Sequence, residues 1–176
     1  PLMLPLLLTY SLSILRLMTL NQFLVFTALS LLPISELRGA IPYGLAVGGE
    51  IWWIAPLAVG INALVPFIAF IFLDTVHKIL LKLKWYEKIF TALSTRAVSK
   101  IHAKVEKFGY AGLLVFVAIP LPVTGAWTGA LGAWLLAMNR KKSAFMVIAG
   151  VAIAGIIVSL VLLLGIKSLN FFIKKI

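Results

Sequence analysis

Two long stretches of the chain carry no charge, residues 51–73 and 143–166. At about 1.5 Å per helical residue, each is long enough to cross a hydrocarbon layer about 30 Å thick. Two further apolar stretches are interrupted half-way. Residues 23–32 are apolar, Pro33-Ile-Ser-Glu-Leu-Arg-Gly-Ala-Ile-Pro42 follows, and 43–49 lead on to Trp52 and Trp53. The second half repeats the plan: 112–119 are apolar, Pro120-Leu-Pro-Val-Thr-Gly-Ala-Trp-Thr-Gly129 breaks the run, and 130–138 are apolar again. Ten helical residues cover only about 15 Å, half a bilayer. A continuous helix through the first break would hold Glu36 and Arg38 in hydrocarbon, at about 2.5–3.5 kcal/mol each. A segment that descends, breaks and returns avoids that cost, because protein or water then surrounds the irregular backbone.

The pattern predicts an all-α integral membrane protein with two opposed re-entrant hairpins, each followed by a transmembrane helix, forming an inverted repeat. The first half is 21–75 and the second 109–167. Between them, in 76–108, apolar residues such as Val76, Ile79, Leu83, Tyr86, Phe90, Ile101 and Val105 recur every three or four positions. Arg96, Lys100, Lys104 and Lys107 take another side. This predicts a basic amphipathic helical segment on the anionic cytoplasmic leaflet, broken near Ser94-Thr95. Residues 1–20 read as an apolar N-terminal helix, spanning or interfacial, and 168–176 as a C-terminal tail.

Composition supports the membrane reading. Hydrophobic residues make up 62% of the chain, charged residues 12%, and the mean hydropathy is +1.12. The net charge of +11 does not point to nucleic acid, because eight of the sixteen basic residues fall between Lys78 and Lys107. Arg140, Lys141 and Lys142 form a second knot. Basic clusters beside apolar spans mark cytoplasmic loops. The first hairpin is therefore expected to open outside and the second on the cytoplasmic side, which leaves Lys167, Lys174 and Lys175 outside. The absence of cysteine excludes disulfides and thiolate chemistry. His77 and His102 both lie in the basic segment, and no phosphate-binding loop, nucleophile elbow or dinucleotide motif occurs. No cofactor or metal is expected, and an enzyme is the least favoured class.

Candidate chemistry concentrates at the breaks. An ionisable residue within a membrane-embedded segment is a functional candidate by default, and Glu36 is the expected proton-coupling group. The alternative is that Glu36 and Arg38 pair to hold the turn. Returning half-helices are expected to begin after Pro42 and near Thr124–Gly125, with their free N–H groups toward the membrane centre. Together with Arg38 they describe an anion site suited to phosphate. Ser35, Gly39, Gly125, Thr124 and Thr128 complete the expected lining, the glycines allowing close backbone approach. Asn62 lies mid-span between Pro56 and Pro66, placed for an interhelical hydrogen bond or a substrate path. Gly150, Ala154, Gly155 and Ser159 give the last span a small-residue face for close packing. Asp74 is placed to pair with Lys78 at i+4.

The stretches Leu32-Pro-Ile-Ser-Glu-Leu-Arg-Gly-Ala-Ile-Pro42 and Ala118-Ile-Pro-Leu-Pro-Val-Thr-Gly-Ala-Trp-Thr-Gly-Ala130 resemble the small multi-drug export protein family of bacteria and archaea. The resemblance runs from about Asn21 to about Ile166. That family is more remotely similar to the DedA or VTT membrane proteins, which have opposed re-entrant hairpins and are implicated in moving lipids. The resemblance implies functional acidic and arginine residues in the hairpins. Glu36 and Arg38 match this, whereas 120–129 hold no arginine. The resulting expectation is a proton-linked carrier or translocase of a phosphate-bearing lipid, multi-pass in the cell membrane. The alternatives are a proton-coupled exporter of cationic compounds and a non-transporting scaffold. Membrane lipids, protons and a lipid-phosphate or small-molecule substrate are the implied partners, with self-association possible in any of the three.

Overall fold

A computed structural model describes residues 18–121 and 124–173. Within these residues the chain is helical throughout. The first half comprises α1 (Leu20–Leu31), α2 (Glu36–Ala46), α3 (Ile51–Asn62) and α4 (Val65–Asp74). Two linking helices follow, α5 (Val76–Leu80) and α6 (Lys84–Phe108). The second half is α7 (Tyr110–Ala118), α8 (Ala126–Leu135) and α9 (Arg140–Ile173). The expected N-terminal helix (1–20) lies almost wholly outside the described residues, as do Pro122, Val123, Lys174 and Lys175.

Local chemistry sets the boundaries. Thr19 and Gln22 form a capping box at the start of α1, the Thr19 hydroxyl accepting from Gln22 N–H at 3.3 Å and Gln22 Oε1 from Thr19 N–H at 2.9 Å. The helix stops at Leu32, which is extended ahead of Pro33, as a residue before proline prefers. The run 51–73 is not one straight helix. Pro66 has no N–H for the Asn62 carbonyl, and the chain turns at Ala63 and Leu64 before continuing as α4. The helix expected to begin after Pro42 begins at Glu36, with Pro42 inside it. The amphipathic segment breaks at Leu81–Leu83, and α6 runs unbroken through Ser94 and Thr95.

α9 is the element on which both halves meet. It lies along α7 and also touches α8, α2, α3 and α4, while α8 packs on α4 and α6 packs on α7 and α8. Phe26, Ile41, Ile54, Val65, Leu113, Phe116 and Val147 form one buried core across the halves. Small residues bring the helices close. A methyl group on Gly150 would come within 2.9 Å of the Leu114 carbonyl oxygen, and one on Gly155 would strike Val59. Such contacts matter in lipid, where apolar burial gives little net drive and packing must supply it. On α6, Ile101 is buried against Gly132, so this helix is docked on α7 and α8 rather than only laid on a surface. The side chains of Arg96, Lys100 and Lys104 lie outside the described residues.

Ile51–Asp74 and Arg140–Gly165 are each long and apolar enough to cross a membrane, yet only 39% and 33% of their apolar windows are buried in protein. A soluble core helix would be mostly covered. Leu64 in the turn, Phe67, Ile68 and Ile71 on α4, and Ile156, Leu160, Val161 and Leu164 on α9 instead face outward. Outward apolar surface on this scale requires lipid or a partner.

Candidate functional site

The two breaks meet. α1 ends with main-chain carbonyls that no helical N–H can reach, and α8 begins with N–H groups that no helical carbonyl can reach. Side chains from several elements satisfy both ends. Ser35 Oγ donates to the Leu29 carbonyl. Asn62 Nδ2 donates to the Ser30 carbonyl at 2.6 Å, and Trp127 Nε1 to the Leu31 carbonyl at 2.7 Å. At the other end, Glu36 Oε1 accepts from the Trp127 N–H at 3.3 Å, and the Ala126 N–H also faces this carboxylate.

Glu36 is thus the cap of a helix that begins ninety residues later. Its side chain is buried, with 6% of the residue exposed. Its backbone is left-handed, φ +46°, a conformation that costs a non-glycine residue about 1–3 kcal/mol and recurs at functional sites. Gly125, φ +143°, precedes α8, and a methyl group there would overlap the Glu36 carboxylate. Only glycine meets both demands. Arg38 does not pair with Glu36. Its Nη2 donates to the Thr124 carbonyl at 3.2 Å. The turn carrying that carbonyl is held by the Thr124 hydroxyl, which accepts from the Leu121 N–H at 3.0 Å and lies 2.7 Å from the Ile119 carbonyl.

Glu36, Arg38, Asn62, Thr124 and Gly125 surround a cavity of about 10 Å³, walled on the α9 side by Val151, Ala154 and Val158. This volume is about that of one water, too small for a drug or a lipid headgroup. The seat expected for a phosphate, the α8 N-terminus, is taken by the protein's own carboxylate.

Residues 36–157 match the sequence profile of a family described as "Putative small multi-drug export protein". The chain belongs to this family. The matched region begins at Glu36 and takes in Arg38, Asn62, the whole second break and Trp127, so the contact between Glu36 and the start of α8 lies inside it. Neither the curated proteins nor the solved structures yield a match. With the two outward-facing apolar helices, family membership identifies a membrane protein of a transporter family.

Of the residues expected at the site, Glu36, Arg38, Asn62, Thr124 and Gly125 come together. Ser35 braces the end of α1, and Gly39 packs over Ser35, where a methyl group would meet Ser35 Cβ at 2.6 Å. Thr128 lies in the first turn of α8 and does not line the cavity. Sequence reasoning missed Trp127, which serves the junction twice, through its main-chain N–H and through its indole. Its place two residues after Gly125, inside a break, was the available signal.

A second cluster joins the halves at the far end of α4. Asp74 Oδ1 accepts from Trp134 Nε1 at 2.7 Å and from Arg140 Nη2 at 2.9 Å. Asp74 is therefore committed to the second half, and the side chain of its expected partner Lys78 lies outside the described residues. The Arg140 guanidinium stacks over Phe70 and Trp134. Beside it His77 is buried among Tyr86, Phe90 and Trp134, with Nδ1 3.0 Å from the Tyr86 hydroxyl. Burial holds the His77 imidazole below its ordinary pKa and pushes the Tyr86 phenol up. Among the described residues, no group of three acidic or histidine side chains could hold a metal ion.

Proposed function

We propose that this chain is a multi-pass, proton-coupled exporter of small cationic compounds, with Glu36 as the group that holds either the proton or the substrate's positive charge. One observation carries the reading: the Glu36 carboxylate, buried at the junction of the two breaks, is also the cap of α8. Ionised, it accepts from the α8 N–H groups and holds the junction shut, as an anion is favoured at a helix N-terminus. Protonated, it loses most of that attraction, and the clasp between the halves weakens. A cation that replaces the proton restores the closed charge balance from another position. Proton and substrate then compete for one carboxylate, the requirement of an exchanger.

The family's description speaks of drug export, and the seat a lipid phosphate would need is already filled. Arg38 is engaged with a carbonyl, and the helix end is occupied by a carboxylate. A phosphate would first have to displace Glu36. The paired short helices on either side of each break support two re-entrant hairpins entering from opposite faces of the cell membrane. α1, α2, α7 and α8 have 12, 11, 9 and 10 residues, each about half a bilayer in length.

The test is exchange in proteoliposomes. Wild type should move protons against a lipophilic cation such as tetraphenylphosphonium, and Glu36→Gln should lose that coupling while remaining folded. Full proton-linked exchange in Glu36→Gln would remove Glu36 from the mechanism. Phosphate-bearing lipid movement in wild type, with no cation exchange, would restore the lipid reading.

A further inference from the structure

We infer that the cavity at the junction is a water site, in which one water molecule held by Asn62 passes protons to and from Glu36. This rests on the proposed role of Glu36 and names the route by which its proton arrives.

Asn62 is fully buried, and its side-chain orientation is fixed by chemistry. The Ser30 carbonyl needs a donor, so the amide nitrogen, 2.6 Å away, must be the end that faces it. The other end, Oδ1, is an acceptor with no hydrogen-bond partner among the described residues. Asn62 shares the cavity wall with Glu36 and Arg38. A buried acceptor is satisfied only by a donor, and a cavity of about 10 Å³ admits about one water.

The surrounding groups select water over a metal ion. Among the described residues that line the cavity, only Glu36 and Arg38 carry charge. The carboxylate already accepts from main-chain N–H groups, and one carboxylate beside one amide oxygen is too sparse an oxygen set for a bare metal ion. Water suits all three polar walls. One O–H can donate to Asn62 Oδ1, the other to the carboxylate, and an oxygen lone pair can face Arg38. A proton delivered to this water is passed on as its O–H bond toward Glu36 breaks. A new O–H bond forms on the carboxylate, the water returns to neutral, and Glu36 goes from negative to neutral. Asn62 is then a positioning residue, acting on the proton through the water it holds.

Two variants test this. Asn62→Leu keeps the side-chain volume and removes the acceptor. Ala154→Val fills the cavity from α9 and leaves the Asn62–Ser30 hydrogen bond intact, so a folding defect in the first does not end the test. The primary readout is infrared difference spectroscopy of the protein in lipid between high and low pH, in ordinary and ¹⁸O-labelled water. Wild type should show one isotope-sensitive internal-water band that both variants lose. Their proton-driven exchange should fall at least about tenfold. No isotope-sensitive band in wild type, or undiminished exchange in a folded variant, overturns the water site. So does a rise in melting temperature with sodium or lithium that Asn62→Leu abolishes, since the occupant is then a metal cation. Coupling retained in Glu36→Gln defeats the exchanger reading, whereas coupling lost there but kept in both cavity variants defeats only the water.

Discussion

The Glu36 carboxylate accepts a hydrogen bond from the main-chain N–H of Trp127 at 3.3 Å, across the whole of the intervening sequence. This contact joins the two halves through a side chain on one and backbone on the other. The space for it exists because residue 125 has no side chain.

Gly125→Ala should therefore be among the most damaging single changes in the chain. The added methyl overlaps the Glu36 carboxylate, and φ +143° disfavours any L-residue. Strain and overpacking together should cost at least about 2 kcal/mol, read as a lower melting temperature in detergent and loss of exchange. The steric part depends on Glu36, so Glu36→Ala combined with Gly125→Ala should lose less stability than the two single changes added together. Strict additivity would mean that the two residues do not meet.

The left-handed backbone of Glu36 gives an unusual order of substitutions. In a helix alanine normally exceeds glycine by about 1 kcal/mol. At a position with φ +46° the preference reverses, so Glu36→Gly should be more stable than Glu36→Ala by about 1 kcal/mol. Both variants lack the carboxylate, so their difference reports backbone alone. Thermal unfolding of the pair decides it, and an alanine variant equal to or better than glycine would rule out the left-handed turn.

Single cysteines test how the two breaks sit in the membrane. Under the re-entrant reading, Gln22→Cys and Gly49→Cys should both label from outside in whole cells. Lys107→Cys and Lys141→Cys should label only after permeabilisation. Opposite sidedness for Lys107→Cys and Lys141→Cys would make α7 and α8 a crossing unit instead.

His77 should make stability pH-dependent on the acidic side. Its folded pKa lies below the ordinary 6.5 because burial disfavours the charged form. As pH falls below about 6.5 the unfolded chain takes up a proton that the folded chain refuses. The site's contribution is thus complete above that pH and is lost as pH drops toward the depressed folded value. His77→Phe keeps a ring against Phe90 and Trp134 but cannot titrate, so its melting temperature should vary less between pH 7 and pH 5 than that of wild type. Parallel profiles would mean that His77 is not the titrating group.

The polar half of the junction was legible because charge, proline and glycine stand out in apolar sequence. Glu36, Arg38 and Gly125 announced themselves that way, and Asn62 and Thr124 as polar side chains in the same apolar setting. Their partners did not. Glu36 and Arg38 both find main-chain atoms, which leave no mark on residue type. The start of α2 was misplaced because a left-handed glutamate is rare, and Pro42 is a more ordinary helix start. The apolar span looked continuous because its bend depends on a single missing N–H at Pro66. Asp74 with Arg140, 66 positions apart, is a tertiary pairing that helical spacing could not suggest.

Both charges of the junction belong to the first half, while the described residues of the second half offer it only neutral groups. In a bilayer this makes the site's net charge zero when Glu36 is ionised and +1 when it is protonated. An electric field across the membrane then exerts no net force on the ionised first break, but it does act on the protonated one. The coupling is worth up to about 2.3 kcal/mol per 100 mV for a charge that crosses the full field. Protonation would thus do more than loosen a hydrogen bond: it would hand the moving element to the membrane potential.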